Sequence, residues 1–137
     1  RADVLWRNRD TNELWLWSMN GATIVTSNLV GTVSAQWLLG GVGDFDGNGL
    51  ADLVWRDQST GETTVWQMNG AAPPTSTTLP TTTLTGASLD WTIRVVADLD
   101  GNGKADIVWR RSSTGEIIAW MMNGASIASS ASIATIP

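Results

Sequence analysis

The chain has 137 residues, the length of one ordinary domain, with a formal net charge of −5 and only 15% charged residues. Its aromatic content is almost wholly indole, with 9 Trp, 1 Phe and no Tyr, and it has neither Cys nor His. That composition excludes a disulfide framework, thiolate chemistry and imidazole catalysis; the lack of a basic stripe argues against nucleic acid, and no apolar run is long enough to span a bilayer.

Abundant Gly, Ser and Thr favour many short strands and turns. Internal repetition then organises the chain. Residues 2–21, 51–70 and 105–124 align without a gap, at offsets of 49 and 54 residues. Each unit reads Ala-Asp, two aliphatics, Trp-Arg, a polar turn, Glu, and a strand ending in Met-Asn-Gly. A period near 50 suits a four-stranded propeller blade and is long for a leucine-rich or helical repeat.

The first element is the apolar run Val4-Leu5-Trp6, repeated as Leu53-Val54-Trp55 and Ile107-Val108-Trp109. Arg1 falls inside a repeat, so an upstream segment is expected to precede it. A turn follows, with Asn12, Gly61 or Gly115 at the position that needs positive φ. Next comes a strand over 14–19, 63–68 or 117–122, carrying Trp17, Trp66 or Trp120 and ending at the hairpin signal Asn-Gly. A Ser/Thr-rich strand is expected over 22–27, about 75–83, and 125–136. A further strand, 37–45 or 91–99, leads into an acidic loop. With these named A (37–45), B, C and D, the order is B-C-D, A-B-C-D, A-B-C-D. The second unit is five residues longer, and Pro73, Pro74 and Pro80 there predict a longer outer loop or edge strand.

The expected fold is therefore all-β: propeller blades of four antiparallel strands, about three in number, in one repeat domain. Residues 1–36 make a partial blade, 37–90 and 91–137 two full ones. Runs apolar on both faces, such as Leu53-Val54-Trp55, suit blades packed between other blades. A parallel β-helix competes, but its repeats are usually shorter. Three blades leave two flanks open, so the chain is expected to be an incomplete propeller or one subunit of an assembled ring, its further blades coming from the same chain or from homo-oligomerisation.

The acidic loop spaces Asp44, Asp46, Asn48, Leu50 and Asp52 at positions 1, 3, 5, 7 and 9. Calcium takes 6–8 oxygens from carboxylates, amides and carbonyls. Four side chains and the Leu50 carbonyl supply such a set, and Gly47 and Gly49 allow the sharp turn. The second copy is Asp98, Asp100, Asn102 and Asp106 with the Lys104 carbonyl. A metal-free Asp/Asn/Gly turn is the plain alternative; recurrence at one place in the repeat favours Ca2+ with a structural role. An EF-hand does not fit, because no Glu stands at position 12 and a β-rich run follows. Only Asp3 survives of the set at the N-terminus.

The run Asp44-Phe45-Asp46-Gly47-Asn48-Gly49-Leu50-Ala51-Asp52-Leu53-Val54, with its copy from Asp98 to Val108, resembles the FG-GAP/VCBS repeat family, whose members include the integrin α-chain head, many secreted bacterial proteins and some fungal lectins. The resemblance implies a β-propeller, often seven-bladed, with calcium in the A–B loops. It also implies an extracellular or cell-surface setting.

Other side chains carry weaker signals. Glu13, Glu62 and Glu116 could be read as glycosidase-like carboxylates; one repeat position after a turn suits a turn or cross-strand role better, and no enzyme is expected. Arg7, Arg56 and Arg110 each follow a Trp. Either the stem packs on indole while the head pairs with acid at a blade edge, or the Arg contacts a ligand. Repeated Trp mostly fills gaps between blades, but indole faces also suit sugar rings. Trp15, Trp17, Trp66 and Trp120, with Asn20, Asn69 and Asn123 at the nearby hairpin, are the candidate ligand-binding residues. Trp15 breaks the repeat, since Thr64 and Ile118 occupy its position elsewhere, and is expected to be exposed. The function expected is multivalent, lectin-like carbohydrate recognition; the alternative is a protein-binding or scaffold module of a secreted or adhesive protein. Its partners would be a glycan or an extracellular protein.

Overall fold

The computed structural model describes residues 3–69, 72–80, 84, 86 and 88–136. Three antiparallel sheets follow one another along the chain. The first holds β1 (Val4–Arg7), β2 (Glu13–Asn20) and β3 (Thr23–Thr32). The second holds β4 (Trp37–Gly43), β5 (Asp52–Asp57), β6 (Thr63–Asn69) and β7 (Ala72–Leu79). The third holds β8 (Trp91–Ala97), β9 (Asp106–Arg111), β10 (Glu116–Asn123) and β11 (Ser126–Thr135), preceded by a 3-10 turn over Ser88–Asp90. In every sheet the strands lie in sequence order, as in a propeller blade. The sheets are called blades 1, 2 and 3 below.

The predicted strands are present with shifted ends. β4 and β8 stop before Phe45 and Leu99, because those two amides donate to Asp52 and Asp106 instead of continuing the ladder. β3 runs on to Thr32, pairing with Glu13, beyond the predicted end at Ser27. β7 begins at Ala72, earlier than predicted. Its Pro73 and Pro74 fall where the β6–β7 pairing is irregular, on a strand at the sheet edge, where a missing N–H is tolerated. Asn12 (φ 61), Gly61 (φ 81) and Gly115 (φ 76) occupy the left-handed turn position the repeat requires.

Each core lies between two blades. Leu14 and Val33 of blade 1 pack with Leu53, Trp55 and Met68 of blade 2. The opposite face of blade 2, through Val54 and Val65, packs with Ile107, Trp109, Trp120 and Met122 of blade 3. Trp109 and Trp120 are completely buried there. In every blade the indoles of strands B and C meet: Trp6 with Trp17 at 5.5 Å, Trp55 with Trp66 at 5.5 Å, and Trp109 with Trp120 at 5.0 Å between ring centroids.

The repeated Arg also works between blades, and among the described residues Arg7, Arg56 and Arg110 form no ion pair with an acid, as one sequence reading supposed they would. Arg7 donates to the carbonyls of Val33, Ser34 and Trp37, where the chain passes into blade 2. Arg56 donates to the carbonyl of Gly61 in the β5–β6 turn of its own blade and to those of Ser88 and Trp91, on the way into blade 3. Each guanidinium also lies over an indole of the next blade, Arg7 at 5.9 Å from Trp55 and Arg56 at 4.9 Å from Trp109.

The first strands of blades 2 and 3 approach closely because β4 is glycine-rich. A Cβ on Gly40 would lie 2.7 Å from Ile93, and one on Gly43 2.8 Å from Ala105. Leu39 and Val42 stand at the positions of Ile93 and Val96 one blade earlier, facing blade 1. With no first strand opposite them among the described residues, they stay 43% and 47% exposed. Replacing Gly43 by Val should force β4 from β8 and cost about 1–3 kcal/mol. A control enlargement of the solvent-exposed Val95 to Ile should be near neutral; urea unfolding of both variants measures the difference.

Candidate functional site

The two acidic loops fold almost identically. Asp44 accepts backbone N–H groups from Gly47 (2.8 Å), Asn48 (3.2 Å) and Gly49 (2.8 Å). Asp98 accepts from Gly101 (2.8 Å), Asn102 (3.2 Å) and Gly103 (2.9 Å). The second carboxylate of each loop, Asp46 or Asp100, accepts from the amide of Asn48 or Asn102. The Asn Oδ1 then accepts the amide of Leu50 or Lys104. Two glycines per loop hold positive φ, at 76° and 86° in the first loop and 77° and 84° in the second, which bends the chain around its own carboxylates.

Asp52 and Asp106 close the loops from below. Each is fully buried. One oxygen of Asp52 accepts the Phe45 amide at the loop entrance and the other the Met68 amide at the end of β6, both at 2.8 Å. Asp106 does the same for Leu99 (2.9 Å) and Met122 (2.8 Å). In blade 1 Asp3 keeps half of this clamp, accepting from Met19 at 3.0 Å. The clamp was not foreseen from the sequence. The signal for it was present, since Asp3 recurs with Met-Asn-Gly where the rest of the acidic loop is lacking.

In both loops three carboxylates converge. Asp44, Asp46 and Asp52 each place an oxygen within 4.8 Å of the others, and so do Asp98, Asp100 and Asp106. Burial raises the Asp44 pKa, but donors at Gly49 and Gly47, the Asp46 side chain and the Asn48 amide outweigh it, leaving the carboxyl below its ordinary value. The Gly103 amide leads the hydrogen bonds that hold Asp98 low. Asp52 moves the other way. Burial pushes it up, the charges of Asp46 and Asp44 add to that, and the Met68 and Phe45 amides only partly offset them. A divalent cation would relieve this. All-oxygen donors on a tightly turned loop are the chemistry a hard ion such as calcium takes.

The loops also touch each other. The Asp44 carbonyl accepts the Ala105 amide at 2.8 Å, and Lys104 lies beside Gly47. Lys104 Nζ donates to Asn123 Oδ1 at 2.9 Å.

The candidate ligand residues scatter. Trp15 is half-buried, stacked on Trp6 at 6.0 Å and 12°, so it is not the free indole the repeat comparison suggested. Trp17 is half-buried and Asn20 and Asn123 are exposed. The Asn69 side chain lies outside the described residues. Trp120 sits in the core and offers no face to a ligand, because blade 2 covers it. Trp66, at the same repeat position, instead lines an open cleft of about 260 Å³ between blades 1 and 2, with Trp37, Trp55, Glu62, Thr64, Ser76 and Thr78 around it. Glu62 and Glu13 also serve their turns and strands, accepting from Thr78 and Thr11 respectively.

Residues 44–109 match the family model of the FG-GAP-like repeat. Over that segment, just under half of its length, the chain is similar to an FG-GAP-like repeat. No curated protein and no solved structure matches it significantly. The matched segment runs from the first acidic loop, through the rest of blade 2, to Trp109 in blade 3. FG-GAP-like repeats build propeller-like, non-enzymatic recognition or adhesion modules, often with acidic residues that bind calcium, and occur in extracellular and cell-surface proteins. No described helix is long and apolar enough to cross a membrane.

The clamp and the ion site can be separated by experiment. In chelator, Asp106→Ala leaves the buried Met122 amide and the Leu99 amide without an acceptor and should cost about 1–3 kcal/mol. Asp100→Ala, which removes an exposed carboxylate, should change stability in chelator by less than about 0.5 kcal/mol. Urea unfolding without calcium tests both.

Proposed function

We propose that the chain is a calcium-stabilised, extracellular recognition module that binds carbohydrate in the cleft between blades 1 and 2. The observation that carries the reading is the lining of that cleft. Trp66 and Trp37 supply indole surface, Thr64, Ser76 and Thr78 supply hydroxyls, and Glu62 supplies a carboxylate. A sugar ring needs this mixture, since its C–H faces are apolar and its hydroxyls need polar partners. Trp55 also lines the cleft. The cleft is open and shallow, which suits weak sites that gain strength when several act together.

Calcium would be held by Asp44, Asp46, Asn48 and Asp52 with the Leu50 carbonyl, and by Asp98, Asp100, Asn102 and Asp106 with the Lys104 carbonyl. Its contribution is to neutralise each carboxylate cluster and fix the loop between the first two strands of a blade. The Ala105–Asp44 bond lets order in one loop support the other.

The ion makes a thermodynamic prediction. At a free calcium concentration about 100 times the dissociation constant, a single site adds about 2.7 kcal/mol to stability. Chelation should therefore lower the melting temperature by several degrees, and Asp46→Asn with Asp100→Asn should abolish the difference; scanning calorimetry with calcium and with EDTA reads it.

Carbohydrate binding is tested on a glycan array in calcium. A discrete set of glycans, competed by free sugar, is expected. Trp66→Ala should weaken binding about tenfold or more, equivalent to at least about 1.4 kcal/mol, while Asn20→Ala should leave it unchanged. Captured protein without any glycan signal would favour the reading in which exposed Leu38, Leu39 and Val42 meet a protein partner.

A further inference from the structure

The open cleft between blades 1 and 2 has a filled counterpart between blades 2 and 3. The strand registers relate the two: Thr64 pairs with Thr78 and Trp66 with Ser76, as Ile118 pairs with Ser132 and Trp120 with Ser130. Two differences accompany the closure. Ile118 stands where Thr64 stands, and it is buried in the core with Trp120. Leu84, from the longer passage between β7 and β8, is buried in the same cluster with Trp91, Trp109 and Trp120. Those three indoles are the counterparts of Trp37, Trp55 and Trp66, which line the open cleft.

The open cleft also holds a charge. Glu62 is its one charged lining residue, the others being Thr, Ser, Val and Trp. Glu62 is exposed, accepts from Thr78 Oγ1 at 3.4 Å, and forms no ion pair among the described residues. Arg7, which lies over Trp55, is not part of the lining and donates to the carbonyls of Val33, Ser34 and Trp37. The half-buried indoles Trp37 and Trp66 share the cleft with this carboxylate. A carboxylate beside indole is an arrangement that takes a cation: the carboxylate accepts a charge-assisted hydrogen bond, and an indole face attracts positive charge. It repels an anionic sugar.

We infer that the cleft selects an amino sugar whose amine is free and protonated. Glu62 accepts the ammonium, the sugar ring lies against Trp66 or Trp37, and Thr64, Ser76 and Thr78 remain for its hydroxyls. Acetylating the amine removes the charge that Glu62 reads, so binding falls. Glu116 holds the same repeat position beside the filled counterpart and takes no part. The inference rests on the carbohydrate reading of the cleft and names the class of saccharide.

Isothermal titration of the unmodified chain with three β-1,4-linked tetrasaccharides tests this. Their units are glucosamine, N-acetylglucosamine and glucose, which differ only at one ring substituent. Calcium is present, salt is low, and the pH is about 6, where an amine and a carboxylate are both charged. The glucosamine tetramer should bind at least about fivefold tighter than the other two. Glu62→Gln, which keeps an oxygen for Thr78, should bring all three within about twofold, and Glu116→Gln should leave the preference intact. Equal binding, or a preference for the acetylated tetramer, would overturn the inference and leave the carbohydrate reading standing. A preference that survives Glu62→Gln overturns it too, because the amine is then read elsewhere. If none of the three binds, the inference fails; a silent glycan array beside that result removes the carbohydrate reading with it. The saccharide series needs no variant, so a misfolded Glu62→Gln would not rescue the inference from equal binding.

Discussion

Blades 2 and 3 each depend on one buried carboxylate at the start of the second strand, β5 or β9. Asp52 and Asp106 are fully shielded from water, a costly place for a charge unless hydrogen bonds compensate it. Each spends both oxygens on backbone amides that no strand can satisfy, one in the acidic loop and one at the far end of the neighbouring strand. Three pieces of chain are thereby fixed to one residue. The loop then has a rigid floor, and its remaining carboxylates must crowd above it. The site that can take a cation is thus a consequence of how the blade is tied together.

The second organising contact is between blades. Arginines from one blade satisfy the carbonyls of the passage into the next and cover its indole. In this way the repeat joins its units without acidic partners, and the acidic side chains stay available for the loops. Blade 3 departs locally: Arg111 replaces the turn-closing Asp57 of blade 2, and Asp90 from the preceding 3-10 turn takes over, pairing with Arg111 at 2.8 Å and accepting the Ser113 amide. Hydrogen bonds to Ser113, with Arg111 beside it, hold the Asp90 carboxyl below its ordinary value.

Much of this was legible in the sequence. The offsets of 49 and 54 residues fixed the unit, and the Trp-Arg and Asn-Gly signals placed the strands and hairpins within a few residues. The alternating oxygens of the acidic loop announced converging carboxylates. Other features depend on what lies across a blade boundary, which one repeat cannot encode. Trp66 and Trp120 hold the same repeat position, yet one borders a cleft and the other is core, because blades 1 and 2 present different neighbours. Trp15 looked unpaired because its counterparts are Thr64 and Ile118, but it stacks on Trp6 one strand away. Asp90 lies outside the aligned segments, so no comparison of repeats could assign it to the turn of blade 3.

Amide hydrogen exchange, resolved by residue in calcium-free buffer, tests the central claim most directly. If the buried carboxylates tie the blades together, the amides of Phe45, Met68, Leu99 and Met122 exchange as slowly as those in the middle of β5 and β9, although two of them lie in loops. Exchange of Phe45 and Leu99 at the rate of the exposed loop glycines would contradict the account, because the carboxylates would then not be holding them.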